Sequence, residues 1–117
     1  MKSRYTVKKN SDFRRMYSKG KSVVTPYMVV YTRKNSLPDT RTGYTVSAKL
    51  GNAVTRNTVR RRLREIYRLH SGLIRSGTDI IVVARSKAVS ADYSVLSECF
   101  LDCCSRLGLL RPSEAEQ

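Results

Sequence analysis

Apolar positions in the second half of the chain keep two rhythms. Val59, Leu63, Ile66, Tyr67 and His70 recur at i, i+4, i+7, i+8 and i+11, which lines one face of a helix. Tyr93, Leu96, Phe100, Cys103 and Leu107 do the same within the segment from Asp92 to Leu107. Between these two segments, Asp79-Ile80-Ile81-Val82-Val83-Ala84 is an apolar run unbroken after its first residue, the pattern of a central strand buried on both faces. Upstream, Tyr27 to Thr32 is rich in β-branched and aromatic residues and follows Pro26, so it reads as a strand. Gly43 to Ala48 reads as another, and Ser22–Val24 as a short extra one. Phe13, Met16 and Tyr17 at i, i+3 and i+4 predict a short helix over residues 12–19, capped within Asn10-Ser11-Asp12 and ended by Gly20.

Polar segments separate these elements. Lys34 to Thr42, with Pro38 and Asp39, reads as a loop, and Lys49 to Asn52 as a turn. Thr55 is placed to cap the following helix, which runs to about His70. Ser71 to Gly77 connects it to the apolar strand, and the tail beyond Leu110 is polar and expected to fray. The order is α-β-β-β-α-β-α, which predicts an α+β fold with helices packed on a small sheet. A length of 117 residues fits one domain with one core layer between helices and sheet. The expected ordered part is about 7–110, followed by a polar tail over 111–117. No repeat, low-complexity tract or domain linker interrupts it.

Charge changes this picture more than composition does. Lys and Arg number 23 against nine Asp and Glu, a formal charge of +14. Residues 1–78 hold 19 of the basic residues against only Asp12, Asp39 and Glu65, whereas residues 79–117 hold four basic and six acidic ones. A polyanion site therefore belongs to the first two thirds of the chain, and clustered arginine at high pI is the footprint of nucleic-acid binding. A disordered basic tail is excluded, because 40% of residues are hydrophobic and they are periodic. No stretch is long and apolar enough to span a bilayer, and no apolar region follows the basic start Met1-Lys2-Ser3-Arg4-Tyr5, so the expectation is a cytoplasmic protein without a membrane partner. Cys99, Cys103 and Cys104, an odd count in one helical segment, argue against a disulfide framework.

The charge is densest from Gly51 to Glu65. Arg56, Arg60 and Arg64 form a stripe at spacing four, and Arg61, Arg64 and Arg68 a second at spacings three and four. Such stripes repel themselves unless a polyanion neutralises them, and guanidinium forks suit phosphate. The bland alternative is a solvated helix face, but Glu65 is the one acid at i+3 or i+4 to offer a partner. Six arginines wrap most of the helix, so not all face one ligand. Arg62 and Glu65 are the residues expected to be solvated or to pair with each other. Asn57 has two uses open to it in the first turn, capping or reading RNA. Phe13, Tyr17 and Tyr31 by themselves read as core before they read as stacking platforms. Met16 is expected to face the core. His70, alone on the apolar side of its helix, reads as packed or capping. The cysteines read as small core residues and a surface thiol rather than a zinc site, since no second ligand pair stands at metal spacing. One histidine and nine acids, with no paired carboxylates or Ser-His-Asp arrangement, leave a protein-based nuclease site hard to build.

Several segments together resemble the protein component of bacterial ribonuclease P. They are Phe13-Arg14-Arg15-Met16-Tyr17 leading to Gly20-Lys21-Ser22-Val23, the Val29-Val30-Tyr31 strand, and Gly43-Tyr44-Thr45-Val46-Ser47-Ala48-Lys49-Leu50-Gly51. Ala53-Val54-Thr55-Arg56-Asn57 followed by Arg61-Arg62-Leu63-Arg64-Glu65 is the most specific, and Asp79-Ile80-Ile81-Val82-Val83-Ala84-Arg85 also fits. The similarity runs from about residue 7 to 108. The resemblance implies a four-stranded sheet with three helices and a left-handed β-α-β crossover. It implies a protein subunit, monomeric in a 1:1 ribonucleoprotein, that assembles with a large catalytic RNA. That RNA, with magnesium held mainly by the RNA, hydrolyses the phosphodiester at the mature 5′ end of precursor tRNA and releases the leader. The chain would then be an endoribonuclease subunit in tRNA processing with no catalytic residue or metal of its own.

Carried over residue by residue, the resemblance places Phe13, Tyr17 and Tyr31 on a cleft floor that stacks leader bases, rimmed by Lys8, Lys9, Arg14 and Lys49. It assigns Arg56, Asn57, Arg60, Arg61, Arg64 and Arg68 to the RNA subunit. The family usually has two basic residues after the serine of the Gly43–Leu50 segment, and here Lys49 stands beside Ala48. Tyr17 stands where phenylalanine is frequent and keeps a stacking face. Two other readings compete: a structural RNA-binding protein such as a ribosomal protein, and a DNA-binding regulator with the arginine helix in a major groove. The Ala-Val-Thr-Arg-Asn helix start separates the first reading from the ribosomal one. The turn at Lys49–Ala53 stands where a groove-binding helix would need its partner helix.

Overall fold

The computed structural model describes residues 20–111. The helix predicted over 12–19 lies outside them, as do Lys8, Lys9, Phe13, Arg14, Met16 and Tyr17. The described elements are β1 (Lys21–Val24), β2 (Met28–Lys34), β3 (Arg41–Thr45), α1 (Ala53–His70), β4 (Thr78–Ala84) and α2 (Tyr93–Arg106). Short 3-10 turns at Ala48–Leu50 and Ser71–Leu73 flank α1, and a third, Ser86–Ala88, follows β4. The strands form one sheet in the order β1-β2-β4-β3. β1 and β2, and β2 and β4, pair antiparallel, whereas β3 and β4 run parallel with α1 as the crossover between them.

Alternation along the inner strands divides the side chains between two faces. Met28, Val30, Ile80, Val82 and Ala84 enter the main core, which also receives Val59, Leu63 and Ile66 of α1 and Leu96, Phe100, Cys103 and Cys104 of α2. Ile81, Tyr31 and Val83 form a separate cluster on the opposite face. The unbroken apolar run of β4 is thus explained as predicted. It has a strand on either side and apolar neighbours on both faces, and each large aliphatic side chain buried this way contributes about 1.5–3 kcal/mol.

Local chemistry sets the connections. Thr25 closes the β1–β2 turn: its Oγ1 accepts from the Met28 N–H at 3.0 Å and donates to the Met28 carbonyl at 2.7 Å. Gly108 ends α2 with φ 70°, and the Leu109 N–H reaches back to the Cys104 carbonyl at 2.9 Å. The positive φ that glycine tolerates lets the chain fold over the last turn and satisfy its carbonyls. At the end of α1, His70 Nδ1 lies 2.8 Å from the Ile66 carbonyl; since a carbonyl only accepts, that nitrogen carries the hydrogen.

Several predicted boundaries move. β2 spans Met28–Lys34 rather than Tyr27–Thr32, because its pairing with β4 runs on through Lys34 opposite Thr78. β3 spans Arg41–Thr45 rather than Gly43–Ala48, because the parallel register pairs Arg41 with Asp79 and starts the ladder two residues earlier. The loop predicted over 34–42 shrinks accordingly. Past Thr45 the chain leaves the sheet: Ser47 Oγ accepts from the Lys49 N–H at 3.2 Å and caps the 3-10 turn. Thr55 does not cap α1. Asn52 does so, its Oδ1 accepting from the Thr55 N–H at 2.9 Å, and Thr55 falls inside the first turn. Among the described residues no helix is long and apolar enough to cross a membrane.

Candidate nucleic-acid interface

The site begins where the 3-10 turn meets α1. Gly51 adopts φ 148°, and a Cβ there would stand 3.0 Å from Thr55 Cγ2, so only glycine lets the chain bend this tightly into the helix. The bend aims the Gly51 carbonyl at Arg56, whose Nε donates to it at 3.2 Å. Lys49 is exposed in the adjoining turn. Asn52 and Arg56 therefore lock the start of α1 from two sides, one by accepting from a backbone amide and one by donating to a backbone carbonyl.

The arginines of α1 divide into two kinds by their partners. Arg60 Nη1 donates to Asn57 Oδ1 at 3.0 Å. The guanidinium carbon of Arg64 lies 5.9 Å from the ring centroid of Tyr44 on β3. The stripe Arg56, Arg60, Arg64 is thus held by a carbonyl, an amide and a ring, three neutral partners that orient each guanidinium while leaving its charge intact. Arg68 differs. Its Nε donates to Glu65 Oε1 at 3.1 Å and Oε2 at 3.3 Å, and Nη2 also reaches Oε1. That bond holds the Glu65 carboxyl below its ordinary pKa and raises that of Arg68. Arg62 is the partner expected for Glu65; Arg68 takes it instead, because a glutamate placed N-terminal to its cation is the better helical arrangement. Arg61 is exposed and Arg62 half-buried. Asn57 resolves its two open uses in part: Asn52 caps the helix, and the Asn57 amide orients Arg60.

Tyr31 lies on the sheet face turned away from α1 and α2, half-buried against Ile81 and Val83. One register step along that face runs the row Arg33, Asp79, Arg41. Asp79 is buried; Arg41 grips it with Nε at 2.8 Å and Nη2 at 2.6 Å, Asn35 Nδ2 donates at 2.9 Å, and Arg33 Nη2 lies at 3.5 Å. Burial pushes the Asp79 pKa up, but the bonds from Arg41 and Asn35 and the charges of Arg41 and Arg33 outweigh it and hold the carboxyl below its ordinary value. The remaining residues expected around a leader cleft, Lys8, Lys9, Phe13, Arg14 and Tyr17, lie outside the described residues.

Among the described residues no three His, Cys, Asp or Glu side chains converge in a way that could hold a metal ion. Cys103 and Cys104 are buried, with burial pushing both thiols up to about 12, and Cys99 is half-buried with Sγ 3.2 Å from Thr25 Oγ1. The expected surface thiol is therefore a residue at the core margin. Tyr44 and Asn52 are the residues that the periodicity does not single out. Asn52 carries a signal, being a good capping type directly before the helix. Tyr44 carries none, since its contact comes from a distant part of the chain.

A family model described as Ribonuclease P matches residues 1–108. The chain belongs to the ribonuclease P protein family. The ribonuclease P protein component of Alkaliphilus metalliredigens is 36% identical over 110 residues, covering 94% of this chain and 99% of the relative. That of Natranaerobius thermophilus is 47% identical over 88 residues, 75% of this chain and 76% of its own. The RNase P protein of Staphylococcus aureus has a TM-score of 0.84 at 37% identity and covers 93% of this chain and 100% of its own. In this member of the ribonuclease P proteins, the helix with the densest charge in the sequence is also the crossover between the two parallel strands of the sheet.

Proposed function

We propose that the chain is the RNA-binding protein subunit of ribonuclease P, an assembly that removes the 5′ leader of precursor tRNA. The observation that carries this reading is the stripe of α1, three arginines held by neutral partners within a chain that matches the family from residue 1 to 108. Cations oriented but not neutralised are what a polyanion binds with least reorganisation. In this reading Arg56, Asn57, Arg60, Arg61, Arg64 and Arg68 meet the RNA subunit, with Arg68 contributing least because Glu65 already balances it. Tyr31, together with Phe13 and Tyr17, forms the stacking floor of the leader cleft, and Lys8, Lys9, Arg14 and Lys49 take its phosphates. The position of Tyr31 on the face away from α1 and α2 supports that role. The chemistry belongs to the RNA and its magnesium, the complex is 1:1 and cytoplasmic, and the fold includes a third, N-terminal helix and a left-handed crossover.

Reconstitution tests the proposal. The protein is mixed with a bacterial ribonuclease P RNA and precursor tRNA at low magnesium, and leader release is scored. The protein should stimulate release strongly and should cleave nothing without the RNA. Cleavage by RNA-free protein would sink the subunit reading, and binding without stimulation would favour a structural RNA-binding role.

A further inference from the structure

Tyr44 joins two parts of the molecule that carry different roles. It sits on β3, an edge strand, opposite Val82 in the register, so its side chain points to the helix side of the sheet and packs against the main core. Its hydroxyl is buried without a well-formed hydrogen bond to the described residues. Burial pushes its pKa up to about 12, against the smaller opposing influence of Thr42 and Arg64, so it stays protonated. A buried hydroxyl left this way is a cost, which a phenylalanine would avoid. The functional part of the side chain is therefore its ring, and the ring lies under Arg64.

We infer that Tyr44 is a positioning residue for RNA binding: its ring holds the Arg64 guanidinium over the β3 edge, so that the in-plane N–H groups of Arg64 point outward to a phosphate. This rests on the reading of Arg64 as an RNA ligand. Arg64 is exposed, and an exposed guanidinium on a flexible stem loses rotamer freedom on binding. A carboxylate would order it but cancel its charge, as Glu65 does for Arg68. An aromatic face attracts a cation without cancelling it, and stacking leaves the donors at the guanidinium edge available. The basic surface of α1 is thereby extended onto the sheet.

The test uses the full chain and ribonuclease P RNA, with affinity measured over a range of salt and melting temperature measured in parallel. Tyr44→Phe should bind as the parent does, with an equal or higher melting temperature. Tyr44→Leu should weaken binding about threefold, the scale of an exposed cation–π contact. Arg64→Ala should weaken it and flatten the slope of log K against log salt by about 0.7–0.9. In the double variant Tyr44→Leu should add nothing to Arg64→Ala. Phenylalanine at position 44 carrying one, two or three ring fluorines keeps the fold while draining the ring face, and affinity should fall with each fluorine. Additive effects, or affinity indifferent to fluorination, would overturn the inference and return Tyr44 to the core while leaving Arg64 an RNA ligand. An unchanged slope in Arg64→Ala would instead remove Arg64 from the RNA surface, and the inference with it.

Discussion

Arg60 and Arg68 stand two turns apart on one helix and are indistinguishable as letters in a basic run. Their neighbours separate them: Asn57 orients Arg60 without touching its charge, and Glu65 neutralises Arg68. Removing one phosphate ligand from an RNA complex lowers its salt dependence by a fixed amount. Arg60→Ala should therefore flatten the slope of log K against log salt by about 0.7–0.9 and weaken binding, whereas Arg68→Ala should change it by clearly less. Titrations of the RNA at several salt concentrations read both, and an equal change for the two would mean that the Glu65 pair opens in the complex. The arginines themselves are legible in the sequence. Their partners are legible only in part: Glu65 has an arginine three residues away on either side and sequence order already favours Arg68, whereas the ring of Tyr44 reaches Arg64 from a distant strand.

At the scale of elements, the decisive group is Asp79 at the start of β4. The register sets it between Arg33 on β2 and Arg41 on β3, so one carboxylate ties three strands. Its folded pKa is depressed. Such a group contributes stability that is present above the unfolded value, about 3.9, and is lost as pH falls through the lower folded value. The protein should lose stability as the pH drops below about 4, and Asp79→Asn should lack that part of the acid slope. At neutral pH the same substitution should cost about 3 kcal/mol, because it leaves guanidinium groups at the sheet margin without their carboxylate. Urea unfolding from pH 2 to 7 measures both, and identical acid slopes in parent and variant would show that Asp79 carries none of the effect. The strand itself is predicted to within a residue. Its acid reads in the sequence only as the head of an apolar run, and the early start of β3 follows from a pairing that no local pattern announces.

At the scale of the molecule, the sheet presents two faces with different fates. Among the described elements α1 and α2 cover one, and Tyr31 lies on the other with Ile81 and Val83. If that face receives the leader, Tyr31→Ala and Tyr17→Ala should weaken binding of precursor tRNA much more than of mature tRNA, by about 1–3 kcal/mol or five- to hundredfold. The comparison is made on folded holoenzyme, as the ratio of the two affinities. An unchanged ratio with a lowered melting temperature would make both tyrosines core residues and move the leader elsewhere.

Periodicity by itself determined the helix ending at His70, the buried stripe of Val59, Leu63 and Ile66, the central place of Ile80–Ala84 and the burial of Leu96, Phe100 and Cys103 on α2, because each is set by backbone geometry over a few neighbouring residues; Tyr93, expected on that same face, is exposed in the first turn, and Cys104 is buried in addition. Charge along the chain likewise located the candidate RNA surface on α1. Only the tertiary structure decided that β3 starts at Arg41, that Asp79 is held by residues of two other strands, and that Tyr44 lies under Arg64. Those pairings join residues far apart in sequence. The crossover lays α1 against the sheet and so brings Arg64 to Tyr44, whereas the partners of Asp79 follow from strand register, which fixes who stands opposite whom and is a property of the assembled sheet.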